Sequence, residues 1–340
     1  MRGRDVGVCR VAITHGGDVF AVAREHGWDL RTVLDFSASI NPLGPSKCVQ
    51  PAICGALDRI VHYPEREPVL LRRALADSWG LDEAQILLGN GATELIFFVA
   101  RMFRAETVTL GLPVFSEFYR AFPEYREAEL RDAASWPKEG LLVLTRPANP
   151  TGWSLPLEVL RGYLERSSAA VLVDESFIEF SGLRSTGELI REYPRLMVLR
   201  SLTKFYALPG IRVGALVGDA GVIRKWKEHR EPWQVNVLAE AAALAAVGDT
   251  EHAAKSVEFV RGERVWLADG IRSLRNAEPL PTDANFLFVK LRYRAEALAE
   301  HLLRHRILVR VCEHHAVRVA VRSRDENERL LQAWREFTCD

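Results

Sequence analysis

The stretch RSLTKFYALPGIRVG, Arg200–Gly214, sets Lys204 between small hydroxyl residues and an aromatic, and brings Arg212 after it in a turn punctuated by Pro209 and Gly210. A solvated surface lysine needs no such setting. A lysine that bonds covalently to a carbonyl carbon beside a phosphate does, because it must be desolvated and must have an anion-binding arginine within reach.

Outward from this stretch, short apolar runs alternate with helical patterns between about residues 86 and 217, which predicts a sheet built from strand–helix units. ILLG, TVTLGL, LLVLTRP, AVLVDE, LMVLRS and RVGALVG read as strands, most of them apolar without alternation. Such runs suit a mostly parallel sheet covered by helices on both faces. TELIFFVARMFR and LPLEVLRGYLERS carry the helical spacing that supplies those layers. After Trp233 the pattern changes to long helices, VLAEAAALAAVG and roughly 251–275. ANFLFVKL, a helix near 294–304, ILVRV, VRVAV and a closing helix from Asp325 follow. The expected organisation is α/β: an N-terminal arm with part of a small domain over 1–45, a large domain over 46–245, and a small α+β domain over 246–340. INPLGPS, Ile40–Ser46, serves as the connector.

Composition excludes several classes. The 340 residues exceed what one core usually holds, about 250 to 300 residues. Forty-five basic residues balance 45 acidic ones without a basic tract, so no nucleic-acid footprint is present. No apolar run is long enough to span a membrane, and MRGRDVGVCRVAITHGGD lacks the apolar core of a secretory signal, so the expected location is the cytoplasm. Cys9, Cys48, Cys54, Cys312 and Cys339 form no CxxC pair and are expected to be reduced thiols, and CEHH at 312–315 has no second ligand group, so no metal is expected.

The remaining motifs fall at the C-terminal ends of the predicted strands, where open α/β sheets build ligand sites. GNGATELI places Gly91, Ala92 and Thr93 at a helix N-terminus, where backbone N–H groups hold phosphate. PANPTG leaves the Asn149 side chain free to face a ligand, and VLVDESFIEF ends a buried strand on Asp174, a carboxylate that needs a cation opposite it. Pyridoxal phosphate requires a lysine for its aldehyde carbon, an acid for its ring nitrogen, a donor to its ring oxygen and a cradle for its phosphate. Lys204, Asp174 and Asn149 supply the first three, and Ala92, Thr93, Ser201 and Arg212 supply the cradle.

The order GNGATE, PANPTG, VDESFIEF, SLTKFYALPGIRVG resembles the fold type I, aspartate-aminotransferase-like superfamily of pyridoxal-phosphate enzymes over nearly the whole chain. The resemblance implies that Phe115 in LPVFSEFY stacks on the cofactor ring and that Tyr63 in HYPERE reaches the phosphate across a homodimer. It also implies that Arg318 in AVRVAVRSRDENERLL binds the substrate carboxylate. Within the superfamily the chain is similar to both histidinol-phosphate aminotransferases and threonine-phosphate decarboxylases of cobalamin synthesis. THGGDVFAVAREHGW followed by LDFSASINPLGPS, Arg322 in place of a glycine, and Phe177 in place of a tyrosine that would bond the cofactor oxygen tilt it to the decarboxylases. That reading implies release of CO2 from L-threonine O-3-phosphate to give (R)-1-aminopropan-2-yl phosphate, with His15, Gly16, Gly17, Asn149, Arg318 and Arg322 dividing the substrate's carboxylate and phosphate between them. The alternative is an aminotransferase for histidinol phosphate or an aromatic amino acid, with 2-oxoglutarate as acceptor. A non-catalytic regulator on this fold is a third reading, which Lys204 disfavours.

Overall fold

The computed structural model describes residues 16–338. His15, Cys9 and Cys339 lie outside them. Strands β2 (Ile86–Gly89), β3 (Val108–Leu112), β4 (Arg126–Glu129), β5 (Leu141–Thr145), β6 (Ala170–Asp174), β7 (Leu196–Ser201) and β8 (Gly214–Val217) form a seven-stranded sheet. Its order is β2-β8-β7-β6-β5-β3-β4, and only β8 runs against the others. The six strands read from the sequence are all present. Strand β4 was not foreseen, because REAE is polar and three of its four residues are exposed at the sheet edge.

Leu141–Leu144, Val171–Val173 and Val198–Leu199 are fully buried, as continuous apolar runs require when helices cover both faces. The helix Gly91–Met102 packs one face through Leu95, Ile96, Phe98 and Val99, and the helix Leu157–Arg166 the other through Leu160, Tyr163 and Leu164.

A second layer system follows the helices Val237–Gly248 and Thr250–Arg272. Strands β9 (Ala277–Pro279), β10 (Phe286–Leu291), β12 (Arg310–Glu313) and β13 (Ala316–Ala320) make a four-stranded antiparallel sheet in the order β12-β13-β10-β9. ILVRV breaks into β11 (Ile307–Leu308) and β12, because β11 turns aside to pair in parallel with β1 (Leu34–Asp35). That pairing draws the chain after β1 against the site: Asn41 N donates to the Lys204 carbonyl at 3.0 Å, and Asn41 Nδ2 to the Phe205 carbonyl at 2.8 Å. No helix of the described residues is long and apolar enough to cross a membrane. In the β12–β13 turn His314 Nδ1 meets Glu296 at 3.0 Å and His315 Nδ1 the Tyr293 carbonyl at 3.0 Å.

Candidate active site

The C-terminal ends of β2, β5, β6 and β7 open onto a cavity of about 350 Å³ whose other wall comes from the segment after β1 and from β12 and β13. Ala92, Thr93, Phe115, Asn149, Asp174, Ser201, Lys204, Arg212, Arg318 and Gly16 all reach it, so one cleft gathers residues read from separate motifs.

The expected phosphate cradle depends on two glycines. Gly91 has φ +78°, and a Cβ there would run into the Arg212 guanidinium; a Cβ on Gly214 would lie 2.6 Å from Ala92 N. Only glycine at both places lets β8 and Arg212 close on the N-terminus of the helix Gly91–Met102, whose free N–H groups and dipole favour an anion. Arg212 is itself held at φ +61°, a conformation costly for a residue with a side chain, and its Nη1 donates to the Pro209 carbonyl at 3.2 Å. Ser201 Oγ and Thr203 Oγ1 lie 2.8 Å apart at the same end of the cleft. Thr203 escaped the sequence reading, although a hydroxyl one residue before Lys204 was visible there.

Asp174 ends β6 with 7 % exposure, and one of its oxygens accepts from Ser176 N at 2.9 Å and from Ser176 Oγ. Burial pushes its carboxyl up; the Ser176 bonds and the Lys204 charge pull it back down, and the neighbouring Glu175 adds to the rise. Lys204 is pushed down to about 8, first by burial and then by the charges of Arg318 and Arg212. A buried acid with an open oxygen and a lysine whose ammonium gives up its proton more readily than an ordinary one fit the ring nitrogen and the aldehyde of pyridoxal phosphate, and the Gly91–Arg212 cradle fits its phosphate.

Arg318 is 4 % exposed. Its Nη1 donates to Asn149 Oδ1 at 2.7 Å, its Nη2 to the Ser37 carbonyl, and its guanidinium lies 5.0 Å over the Phe286 ring. Asn149 thus spends its oxygen on Arg318 and keeps its amide N–H groups for the cleft. Phe177 packs edge-on against Phe286 at 5.1 Å and presents no hydroxyl there.

One expectation meets a different arrangement. Arg322 does not line the cavity: its Nη1 donates to the Asp35 carbonyl at 3.1 Å, and its Nη2 pairs with Glu326 at 2.6 Å. Glu326 is the N3 residue of the capping box that starts the helix Arg324–Arg335, so it takes this arginine one turn before it can turn inward. In its place stands Arg310 of β12, which the sequence reading passed over and which lines the cleft without an acid partner among the described residues. Tyr63, expected to serve the second copy of a homodimer, lies outside this chain's own cavity, 80 % exposed and stacked on Trp233 at 4.7 Å. Gly17 N donates to Ser37 Oγ at 2.9 Å, so the glycine arm reaches the cleft through the turn at Asp35–Ala38. Asp35 Oδ1 organises that turn by accepting from Ser37 N at 2.8 Å and from Ala38 N at 3.3 Å.

The family model for aminotransferase class I and II matches residues 31–333. Threonine-phosphate decarboxylase of Salmonella typhimurium is 34 % identical over 94 % of this chain and 95 % of its own length. Histidinol-phosphate aminotransferase 2 of Archaeoglobus fulgidus is 31 % identical over 90 % of this chain and 94 % of its own. Among solved structures, histidinol-phosphate aminotransferase from Sinorhizobium meliloti in complex with pyridoxal-5'-phosphate superposes with a TM-score of 0.85 at 22 % identity, covering 99 % of this chain and 98 % of that one.

Proposed function

The chain belongs to the aminotransferase class I and II family, whose cofactor is pyridoxal 5'-phosphate, and on that premise we propose that it decarboxylates L-threonine O-3-phosphate to (R)-1-aminopropan-2-yl phosphate and CO2. The observation that carries the reading is the pairing of Arg310 with Arg318. They are directly opposite partners across β12 and β13. Like charges directly opposite on a sheet face destabilise it, and the charge of Arg310 pushes Arg318 further down from its ordinary range, after burial. A substrate carrying both a carboxylate and a phosphate relieves that repulsion with two bidentate contacts. The similarity to the Salmonella decarboxylase points the same way.

In this reading Arg318 holds the carboxylate, Arg310 the substrate phosphate, and Arg212 with Ala92 and Thr93 the cofactor phosphate. Bound pyridoxal phosphate supplies the electron sink for the bond broken at Cα. Two arginines gripping opposite ends of one small molecule fix which bond at Cα is presented, and positioning of that kind supplies several kcal/mol of a barrier. Lys204 Nζ, buried and more acidic as an ammonium than an ordinary lysine, donates from that ammonium the proton returned to Cα once CO2 has left. We further propose a homodimer, with the exposed Tyr63 reaching the phosphate site of the second copy, and adopt 46–245 as the cofactor-binding domain. The aminotransferase alternative is supported by similarity to histidinol-phosphate aminotransferases, the Archaeoglobus enzyme at 31 % identity among them.

The test is incubation of the holoenzyme with L-threonine O-phosphate and no keto acid. Multiple turnovers of CO2 and aminopropanol phosphate are expected; none, with amino transfer from histidinol phosphate to 2-oxoglutarate, sinks the reading. Arg310→Gln is expected to raise KM for phosphothreonine by about 10- to 100-fold with a smaller change in kcat, since a desolvated anion contact is lost while the bond-breaking geometry at Arg318 remains.

Lys204 also predicts a pH dependence. With its ammonium pushed down to about 8, the reactive free amine appears as pH rises through about 8 instead of the ordinary 10.4 or so of a lysine. Uptake of pyridoxal phosphate by the apoenzyme, followed by stopped-flow absorbance, is expected to accelerate with a midpoint near 8 and to be level above about 9.

A further inference from the structure

Behind the cleft, on the opposite face of the same strands, lies a buried charge cluster that the chemistry above does not use. Arg146 follows the end of β5, Glu175 follows Asp174, and Arg200 precedes Ser201, with exposures of 3 %, 0 % and 6 %. Side chains alternate faces along a strand, so these residues point away from the cleft while their neighbours point into it. Arg146 Nη1 meets Glu175 Oε1 at 3.3 Å and the Arg184 carbonyl at 2.7 Å, and its Nε meets the Leu155 carbonyl at 2.8 Å. Glu175 also accepts from Thr186 N at 2.7 Å and from Ser185 Oγ, and lies 3.8 Å from Arg200 Nη1. Arg200 Nη2 pairs with Glu179 at 2.9 Å, and the guanidinium lies 4.5 Å over the Trp79 ring.

Two arginines against two glutamates leave this cluster neutral. As a device for stability alone it is poorly made: Arg200 Nε, Glu179 Oε2 and Thr186 Oγ1 are buried without a partner among the described residues, and well-packed apolar residues often replace such clusters at no loss. Its position says more. Glu175 is the residue next to the acid that faces the cofactor, and its charge adds to the rise of the Asp174 carboxyl. Backbone bonds from Arg146 N to the Asp174 carbonyl at 2.8 Å and from Glu175 N to the Leu199 carbonyl at 2.9 Å tie the three strand ends together.

We propose that Arg146, Glu175, Glu179 and Arg200 are positioning residues whose balanced charge sets the electrostatic potential at Asp174 and Lys204, and with it the pH at which the bound cofactor titrates. The inference rests on the reading of Lys204 and Asp174 as cofactor contacts. On the cleft side the charged groups facing them are Arg212, Arg310, Arg318 and the Glu117–Arg120 pair; behind the sheet they are the four residues of the cluster and Tyr206. A charge removed from the back changes the net potential while leaving every cleft residue in place.

The test is a pH titration of the holoenzyme's cofactor absorbance. Arg200→Gln leaves one negative charge unbalanced, favours protonated forms, and is expected to move the midpoint up by about 0.5 pH unit or more. Glu175→Gln leaves one positive charge unbalanced and moves it down by a similar amount, and the double variant returns it towards the wild-type value. Arg200→Lys keeps the charge and leaves the midpoint in place. Shifts of the same sign in both single variants, or none in either, overturn the inference, because lost packing alone does not change sign with charge. Should Arg200→Gln not fold, Glu175→Gln and Glu179→Gln carry the test: both must lower the midpoint. A wild-type protein that takes up no cofactor overturns instead the reading of Lys204 and Asp174.

Discussion

Lys204→Ala is expected to lower turnover of phosphothreonine by on the order of 10⁴-fold while leaving the fold intact. The amine has two tasks in the proposed reaction, attachment of the cofactor and return of a proton to Cα, and positioned proton transfer alone contributes about 10²- to 10⁴-fold. Its loss costs little stability, since the side chain forms no hydrogen bond or ion pair among the described residues, and the burial and the Arg318 and Arg212 charges that disfavour its ammonium outweigh the attraction of Asp174. Removing it takes away a buried cation that faces two others. The backbone contact that ties the front segment to this helix, Asn41 N to the Lys204 carbonyl, survives the substitution. Circular dichroism and thermal melting are therefore expected to match the wild type, with activity measured as CO2 release under saturating pyridoxal phosphate. Turnover within tenfold of the wild type overturns the assignment of Lys204.

The reason Lys204, Asp174 and Asn149 were legible before any coordinates is that a parallel sheet places consecutive strand ends on one edge. A motif that closes each strand is then a motif on that edge, and chain order is enough to bring them together. Lys204, Asp174, Asn149 and Arg212 needed no pairing partner to be recognised. The small domain offers no such rule. Arg310 sits in ILVRV and Arg318 in VRVAV, each an arginine in an apolar strand, and that shared oddity was the available signal. What the sequence does not contain is the register that sets one against the other.

Arg322 shows the converse. It was singled out because it stands in place of a glycine, yet it follows the last residue of β13, Ala320, by two, and Glu326 stands four residues on at helical spacing. That spacing was readable and points the side chain along the helix start. Strand β8 is likewise legible as a strand but not in direction, since nothing in RVGALVG distinguishes an antiparallel neighbour from a parallel one.

Arg318→Met is expected to lower kcat/KM for phosphothreonine by on the order of 10²- to 10³-fold, the usual range for truncating one member of a buried, hydrogen-bonded charge contact. The effect has two sources. The direct one is loss of the proposed carboxylate fork, which lysine restores poorly because a single ammonium cannot donate in parallel. The indirect one runs through Asn149: its Oδ1 loses the 2.7 Å bond that fixes the amide, so the side chain is free to turn its oxygen towards the cofactor and present an acceptor where a donor is needed. The Ser37 carbonyl is released as well, which loosens the turn that receives Gly17. Relief of repulsion with Arg310 opposes these losses in the free enzyme, so the variant is expected to fold at least as stably as the wild type while binding substrate less well. Arg318→Lys should then recover little of kcat/KM, and cofactor affinity, which depends on Arg212 and the helix N-terminus, should stay within a fewfold of the wild type. A variant that loses cofactor and substrate affinity together means that Arg318 supports the cofactor site as a whole and does not select the carboxylate.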